Sequence, residues 1–367
     1  MIKKLWIKGY RNLEEKVLNI ENFSSILIFG ENNQGKTNFL EAIFFLINGK
    51  SPLENQIENI VSFYEKEAVI GGDFTTFSGE NRLYCKLTKE GKKFSILNGK
   101  TLRTFSYLKH HVRAEFISSD IIRLFKDSPQ FRRTELDQFC GLYFKEYGFL
   151  LKKYEKVIKQ KNTLLKESPE VSKIRFWNEE LIKLAKDIVI YRKQALEKIN
   201  GVLDELRIDG NFELSPLKIE YVYINLKIEG PEQKYEEALR EKCESEIQKE
   251  IAVGYSLYGP HRDDFIIKIE EKSLFLFCSR GINRLVAILL KLAQLLSLQK
   301  KEEAFPILLL DDAFAEIDSF IKEKVIQLMF NKQIFTVYAS VLKQDKTFFK
   351  EPLILTIVQG KLSVCTG

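Results

Sequence analysis

The chain has 367 residues, 45% hydrophobic and 29% charged, with 57 Lys and Arg against 51 Asp and Glu for a formal charge of +6. This composition excludes a disordered chain, and the length exceeds what one hydrophobic core serves, roughly 250 to 300 residues, so two lobes or a core with an insertion are expected. The mild positive charge is compatible with a polyanionic partner and equally with an ordinary solvated surface.

Residues 2 to 8 and 14 to 20 alternate as two strands around Gly9-Tyr10-Arg11-Asn12, and the opening is too interrupted by charge for a signal peptide. A third strand, 25 to 29, runs into Gly30-Glu31-Asn32-Asn33-Gln34-Gly35-Lys36-Thr37, after which Asn38 to Ile47 reads as a helix. Residues 66 to 98 are β-rich, with a hairpin turn at Glu90-Gly91-Lys92. Val112 to Ser118 forms a further strand, ending where Asp120 is placed to cap a helix from about Ile121. Residues 129 to 207 carry helical periodicity, with Leu150, Tyr154, Val157, Lys161 and Leu165 close to one face. Lys152, Lys156 and Lys159 share another face, and Lys145 to Lys166 holds seven lysines against two glutamates. Two readings stay open for that stripe: a solvated face, or contacts to a nucleic-acid backbone marked by strong salt dependence.

Residues 217 to 228 are expected as a strand and Pro231 to Glu250 as a glutamate-rich helix that faces away from any polyanion. Strands follow over 264 to 277, then a helix from Ile282 to Gln299 whose apolar run, Leu285 to Leu298, carries Lys291 and Gln294 and falls short of a membrane span. Ile307 to Leu310 is an apolar strand closed by Asp311-Asp312. A helix over Asp318 to Phe330, a strand over Ile334 to Tyr338 and two terminal strands complete the chain. The five cysteines show no metal-ligand or disulfide spacing and fit a reducing compartment, so a cytoplasmic protein without a membrane partner is expected. Three segments are expected: 1–125 and 255–367 as the two parts of one α/β domain, and 126–254 as a mainly helical insertion.

The segment Gly30 to Thr37 fits G-x-x-x-x-G-K-T between strand and helix, a loop whose backbone amides cradle nucleotide phosphates. Lys36 would reach the β- and γ-phosphates and Thr37 would offer its hydroxyl to Mg2+, with the helix N-terminus adding to the anion site. Such a loop needs a carboxylate at the end of a parallel strand for the Mg2+ shell, and Asp311 is the candidate, with Asp312 beside it as a general base toward water. Ser279-Arg280-Gly281 before a long helix offers a second anion-binding turn.

The order of these motifs, phosphate loop, Ser-x-Gly turn, Asp-Asp strand, then Glu316-Ile317-Asp318, is that of ABC-type ATPase heads. Within that group the sequence resembles the RecF family of bacterial recombination-mediator ATPases over nearly its whole length. The residues that carry the resemblance are Gly9 to Leu13, the phosphate loop with Asn38 to Ala42, Asp120 with Ser128-Pro129 and Arg132 to Asp137, Tyr154 with Gln160-Lys161-Asn162 and Leu164 to Lys166, Gly259 to Asp264, Ser279 to Gly281, and Leu308 to Asp318. The resemblance implies an α/β fold, an ABC-type P-loop ATPase head of mixed β-sheets with flanking helices and an inserted helical domain. It implies an ATP- and Mg2+-dependent homodimer that binds DNA at junctions of double strand and single-stranded gap and works with RecR and RecO to load RecA.

By the same resemblance Gly30, Asn32, Asn33, Gln34, Gly35, Lys36, Thr37 and Asn38 contact nucleotide, and Arg11 sits beside it. Thr37 and Asp311 hold the metal, Lys36 and Asp312 act in catalysis, and Ser279, Gly281 and Asp318 reach the partner copy's nucleotide. Where the family signature continues Gly-Gln-Gln-Lys, this chain has Gly281-Ile282-Asn283-Arg284, and Asp312 is a methylene shorter than the glutamate of transporters. Both departures point to slow turnover, and they keep open an alternative, an ATP-gated DNA clamp with little or no hydrolysis. A head of SMC or Rad50 type needs long heptad arms, for which 126–254 is too short and irregular.

Overall fold

The structure is a computed structural model that describes all residues except 77–78, 103–111, 168, 227, 229–232, 275–277, 303–304 and 366–367. In chain order the elements are β1 (Ile2–Lys8), β2 (Lys16–Asn19), β3 (Ser25–Phe29), α1 (Lys36–Asn48), β4 (Glu67–Thr76), β5 (Gly79–Thr88), β6 (Lys93–Leu97), β7 (Lys100–Thr101) and β8 (Val112–Ser118). The helices α2 (Arg123–Lys126), α3 (Pro129–Tyr143), α4 (Tyr147–Glu167) and α5 (Val171–Asp209) follow, then β9 (Leu217–Val222), α6 (Gln233–Ser245) and α7 (Ile247–Val253). The chain continues with β10 (Asp264–Ile269), β11 (Lys272–Ser273), α8 (Arg280–Glu302), β12 (Phe305–Asp311), α9 (Ser319–Asn331), β13 (Phe335–Ser340), β14 (Leu353–Val358) and β15 (Lys361–Val364).

The chain divides into two compact units: unit 1 is Met1–Ile122, Glu205–Glu213 and Ser279–Gly367, and unit 2 is Arg123–Asp204 and Leu214–Cys278. Unit 1 holds two six-stranded sheets, ordered β2-β1-β4-β5-β6-β7 and β15-β14-β3-β13-β12-β8. The first is antiparallel throughout. In the second, β14, β3, β13, β12 and β8 run parallel, and the aliphatic runs Ile26–Ile28 of β3 and Ile307–Leu310 of β12 are those of strands covered on both faces. Helix α1 lies against strands of both sheets, and its sequence, apolar nearly all round, buries Phe39, Leu40, Ala42, Ile43, Phe45, Leu46 and Ile47 in the core they share. Helix α8 packs on β8 and β12. Its segment Arg280–Lys301 is long and apolar enough to cross a membrane, further than the interrupted run suggests, but 83% of its apolar window is buried inside the fold, which makes it a core helix.

Unit 2 is mainly helical around a small sheet, β11-β10-β9. The expected apolar face of α4 is the buried one, comprising Tyr154, Val157, Lys161 and Leu165. Lys161 can join it because its ammonium lies 2.7 Å from the Glu250 carboxylate, both side chains being 0% exposed. An ion that deep is tolerated only when paired.

Several elements differ from the sequence reading. The 3-10 turn Ser119–Ile122 replaces the start of a capped helix, and it is the Ser118 hydroxyl that accepts from the Asp120 amide, at 3.3 Å. Strand β9 stops at Val222 rather than 228, and the expected helix 231–250 breaks at Glu246, whose backbone (φ −110°, ψ 14°) is not helical, into α6 and α7. Unit 2 continues past 254 to Cys278, because β10 pairs with β9 along its whole length and Asp264 at its start takes the Arg132 guanidinium at 2.7 and 2.9 Å. Residues 205–213, at the end of the long α5, belong to unit 1, tied there by ion pairs Lys300–Glu205 and Lys332–Asp209.

Candidate nucleotide-binding site

The carboxyl ends of the parallel strands in unit 1 lie along one edge of the sheet, where open α/β folds bind ligands. Strand β3 delivers Gly30 there and β12 delivers Asp311, with β13 between them. Two strand spacings, about 10 Å, separate the backbones. The first turn of α1 closes the gap: the Thr37 hydroxyl donates to the Asp311 carboxylate at 2.7 Å. Residues 274 apart in sequence thus meet, as the metal pair read from the sequence requires.

The loop needs glycine where it bends. Gly35 has φ +113°, a conformation that side chains disfavour, and a Cβ there would stand 2.9 Å from the Asn12 amide oxygen. Lys36 is buried, and its ammonium folds over the loop to donate to the carbonyls of Gly30 (2.7 Å) and Glu31 (3.0 Å). Glu31, Asn32 and Asn33 at the crest are exposed, with Asn33 at φ +64°. Gln34 and Asn38 act within the protein: the Gln34 side chain accepts from the Gln359 amide at 2.6 Å, its carbonyl accepts from the Gly360 amide at 2.9 Å, and Asn38 donates to Asn12 at 2.8 Å. Sequence reasoning missed these braces. Only Gly360 signalled one: at φ +83°, a Cβ there would meet the Asn12 carbonyl oxygen at 1.8 Å.

Arg11, read as a nucleotide neighbour, is bonded to Glu41, with its Nε and Nη2 donating to the two carboxylate oxygens at 2.5 and 2.8 Å. Glu41 is fully buried one turn beyond Thr37 and also accepts from the Ser51 hydroxyl. Its hydrogen bond pushes the Arg11 pKa up. Arg11 therefore fastens α1 to the β1–β2 connection.

The Asp311 carboxyl is pushed above its ordinary range by burial, with Asp312 adding to the push and the Thr37 hydroxyl and Lys36 ammonium opposing it. A divalent cation would relieve that crowding. Among the described residues no three His, Cys, Asp or Glu side chains cluster as a metal cage. Mg2+ takes one or two protein oxygens and completes its shell with phosphate and water, and Thr37 and Asp311 would supply two such oxygens. Asp312 follows at φ +47°, a left-handed backbone that aspartate tolerates better than most residues, with its amide on the Ala339 carbonyl at 3.3 Å. At the end of β13, Ser340 pairs in register with Phe29, immediately before the loop, and its hydroxyl donates to Asp345 at 2.6 Å.

Ser279 is exposed at the start of α8, its hydroxyl 3.4 Å from the Ile282 amide. The turn packs on the segment after Asp312: a Cβ on Gly281 would lie 2.9 Å from the Glu316 carbonyl oxygen, and Arg280 and Arg284 approach the Glu316 carboxylate at 3.5 and 3.6 Å. Asp318 caps α9 by accepting from the Phe320 amide at 2.8 Å. Among the described residues no hydrogen bond or ion pair joins Ser279–Gly281 to Gly30–Thr37. In unit 2, Lys152, Lys156 and Lys159 are exposed along α4.

The family described as RecF/RecN/SMC N terminal domain matches residues 1–348. The chain is 30% identical over 368 residues to the DNA replication and repair protein RecF of Staphylococcus carnosus (strain TM300), covering 98% of this chain and 99% of that one. It belongs to the RecF family. The RecF of Carboxydothermus hydrogenoformans (strain ATCC BAA-161 / DSM 6008 / Z-2901) is 31% identical over 339 residues, 91% of this chain and 93% of the relative. Among solved structures, a recombination mediator protein RecF with ATP, from the RecFOR pathway, superposes with a TM-score of 0.82 at 26% identity, covering 100% of this chain and 97% of that chain. An Smc head bound to the C-winged helix domain of ScpA matches at TM-score 0.56 and 17% identity, covering 99% of this chain and 96% of that one, which shows a shared fold. The fold of this RecF-family chain is the ABC-type ATPase head.

Proposed function

We propose that the chain is a DNA-binding ATPase of recombinational repair and replication restart, and that ATP draws two copies together. The observation that carries this reading is the 2.7 Å contact between Thr37 and Asp311, which sets two hard oxygen donors beside the phosphate loop. Thr37 and Asp311 would hold Mg2+, which when bound neutralises charge on the β- and γ-phosphates. Lys36 would exchange the Gly30 and Glu31 carbonyls for phosphate oxygens, and Asp312 would orient the attacking water and take its proton. Ser279 and Gly281, exposed or half-buried and bonded to nothing in their own copy's phosphate loop among the described residues, suit a role on the γ-phosphate held by a second copy. The solved RecF with ATP, from the RecFOR pathway, and the relatives named DNA replication and repair protein RecF support the ATP-binding and repair part of this reading. Action at single-strand gaps and double-strand junctions with RecO and RecR to load RecA is proposed with it, on the family resemblance of the sequence.

The test is phosphate release with and without DNA for the natural sequence, Lys36→Ala and Asp312→Asn. Both variants are expected to lose at least about a hundredfold, the scale of a lost general base or phosphate contact. Equal rates in all three would reject the proposal. A second reading, a clamp that closes on ATP with scarcely any hydrolysis, is favoured by Ile282 in the signature. Dimer formation on ATP without phosphate release would select it.

A further inference from the structure

Unit 2 contains a cleft of about 830 Å³ whose walls come from α3, α4 and Arg262 of the loop before β10, and whose floor holds Arg192 and His261. The floor is spent. Arg192 grips the Asp137 carboxylate at 2.8 and 2.9 Å and the Pro260 carbonyl at 2.6 Å. His261 stands between the Tyr154 hydroxyl (2.7 Å) and the Ser256 carbonyl (3.2 Å), and burial pushes its pKa down to about 3, so it is neutral.

The walls are different. Arg133 and Arg262 meet no carboxylate at ion-pair distance among the described residues. Arg133 donates to the carbonyls of Asp263 (2.8 Å) and Arg262 (3.4 Å). Arg262 donates twice to the Ser256 carbonyl, at 3.0 and 2.7 Å, and lies 4.8 Å over the Tyr255 ring. Lys159 and Lys166, both exposed, stand on the α4 side. Against these four cations the cleft sets two carboxylates besides the occupied Asp137, those of Glu155 and Glu167. Desolvation, and then the nearby Arg192, push the Arg133 pKa below its ordinary value, against the opposing pull of Asp264, Asp137 and Asp263. Guanidinium groups fixed by carbonyls and a ring face, with spare N–H donors, are arranged for the tetrahedral oxygens of phosphate.

We propose that this cleft is a phosphate-binding site, separate in its residues from the Gly30–Thr37 loop, that takes one phosphate group between Arg133, Arg262, Lys159 and Lys166. The group could belong to a nucleic-acid backbone or to a free nucleotide. The first source rests on the DNA-binding reading above, since Lys159 also ends the exposed stripe of Lys152 and Lys156 and a strand following the stripe would reach the cleft.

The test is calorimetric titration of pyrophosphate into the full chain carrying Lys36→Ala, which weakens the nucleotide loop. Binding is expected to persist there, to fall about tenfold when Arg262→Gln and Lys166→Ala are added, because solvent and salt screen exposed charges, and to stay within about twofold when Lys152→Ala and Lys156→Ala are added instead. If the Arg262→Gln pair unfolds by circular dichroism, Lys166→Ala alone, at an exposed position, should still weaken binding about threefold. No binding in Lys36→Ala, or equal binding with and without the cleft variants, overturns the proposal. A short duplex titrated in parallel names the source: loss of duplex with pyrophosphate binding assigns the site to the backbone, and loss of pyrophosphate alone assigns it to a free nucleotide. Failure of the ATPase reading would instead appear as absent phosphate release in the natural sequence, with this titration untouched.

Discussion

Replacing Thr37 by valine removes a metal-ligand oxygen and, in the same step, the hydroxyl that donates to Asp311 at 2.7 Å. A hydrogen bond to a charged group contributes about 1.5 to 3 kcal/mol. In the nucleotide-free chain Asp311 can answer the loss by taking up a proton, toward which burial already pushes it, so the stability cost stays near the lower figure. In the Mg2+-ATP complex that escape is closed, because the metal requires the carboxylate. The loss then falls on affinity and amounts to roughly 10- to 150-fold. Thr37→Ser, which keeps the oxygen, should bind within about threefold of the natural sequence. The assay is titration of a fluorescent ATP analogue in excess Mg2+ and again with a chelator. The raised Asp311 pKa also fixes the sign of the pH dependence. Between the ordinary aspartate pKa and the raised one the folded chain holds the proton more tightly than the unfolded chain, so this group's contribution to stability without ligand falls as pH rises through that window. Mg2+-ATP affinity rises through the same window as the competing proton leaves. Valine and serine variants of equal affinity, or a valine loss of the same size with chelator present, would refute the reasoning.

Lys161→Met should destabilise the chain by about 3 to 5 kcal/mol, since it strands a fully buried Glu250, while Lys161→Met with Glu250→Gln should recover most of that in thermal unfolding because Gln still accepts from the Leu257 amide. Recovery below about 1 kcal/mol would show that the pair does more than neutralise itself. Reversal of Lys152, Lys156 and Lys159 to glutamate should weaken DNA binding and lower the slope of log affinity against log salt by about 2 to 3, and an unchanged slope would return those lysines to a solvated face.

The site was legible where local rules suffice. A strand, a glycine turn, a Lys-Thr pair and a helix are contiguous, and an aliphatic run closed by Asp311 announces a strand end. What escaped depends on residues far apart in the chain. Asn12 and Gln359 brace the loop from positions that carry no local signal of that partner, and Gly360 marks a turn without naming what approaches it. Arg11 lies in a turn, but nothing nearby reveals that its guanidinium pairs with a buried Glu41. Periodicity placed Lys161 on the apolar face of α4, and composition placed Glu250 in an acidic helix facing away from any polyanion, but only the packing of α4 against α7 brings the two together. The boundary after 254 falls at a true punctuation in sequence, but the strand that follows hydrogen-bonds back to β9, and pairing outweighs punctuation.

Light scattering with and without ATP and Mg2+, on the natural sequence and on Lys36→Ala, tests the central claim most directly. The account predicts a monomer that becomes a dimer only when both ligands are present, and a Lys36→Ala chain that stays monomeric at the same nucleotide concentration. Nucleotide binding that leaves the natural chain monomeric would contradict it.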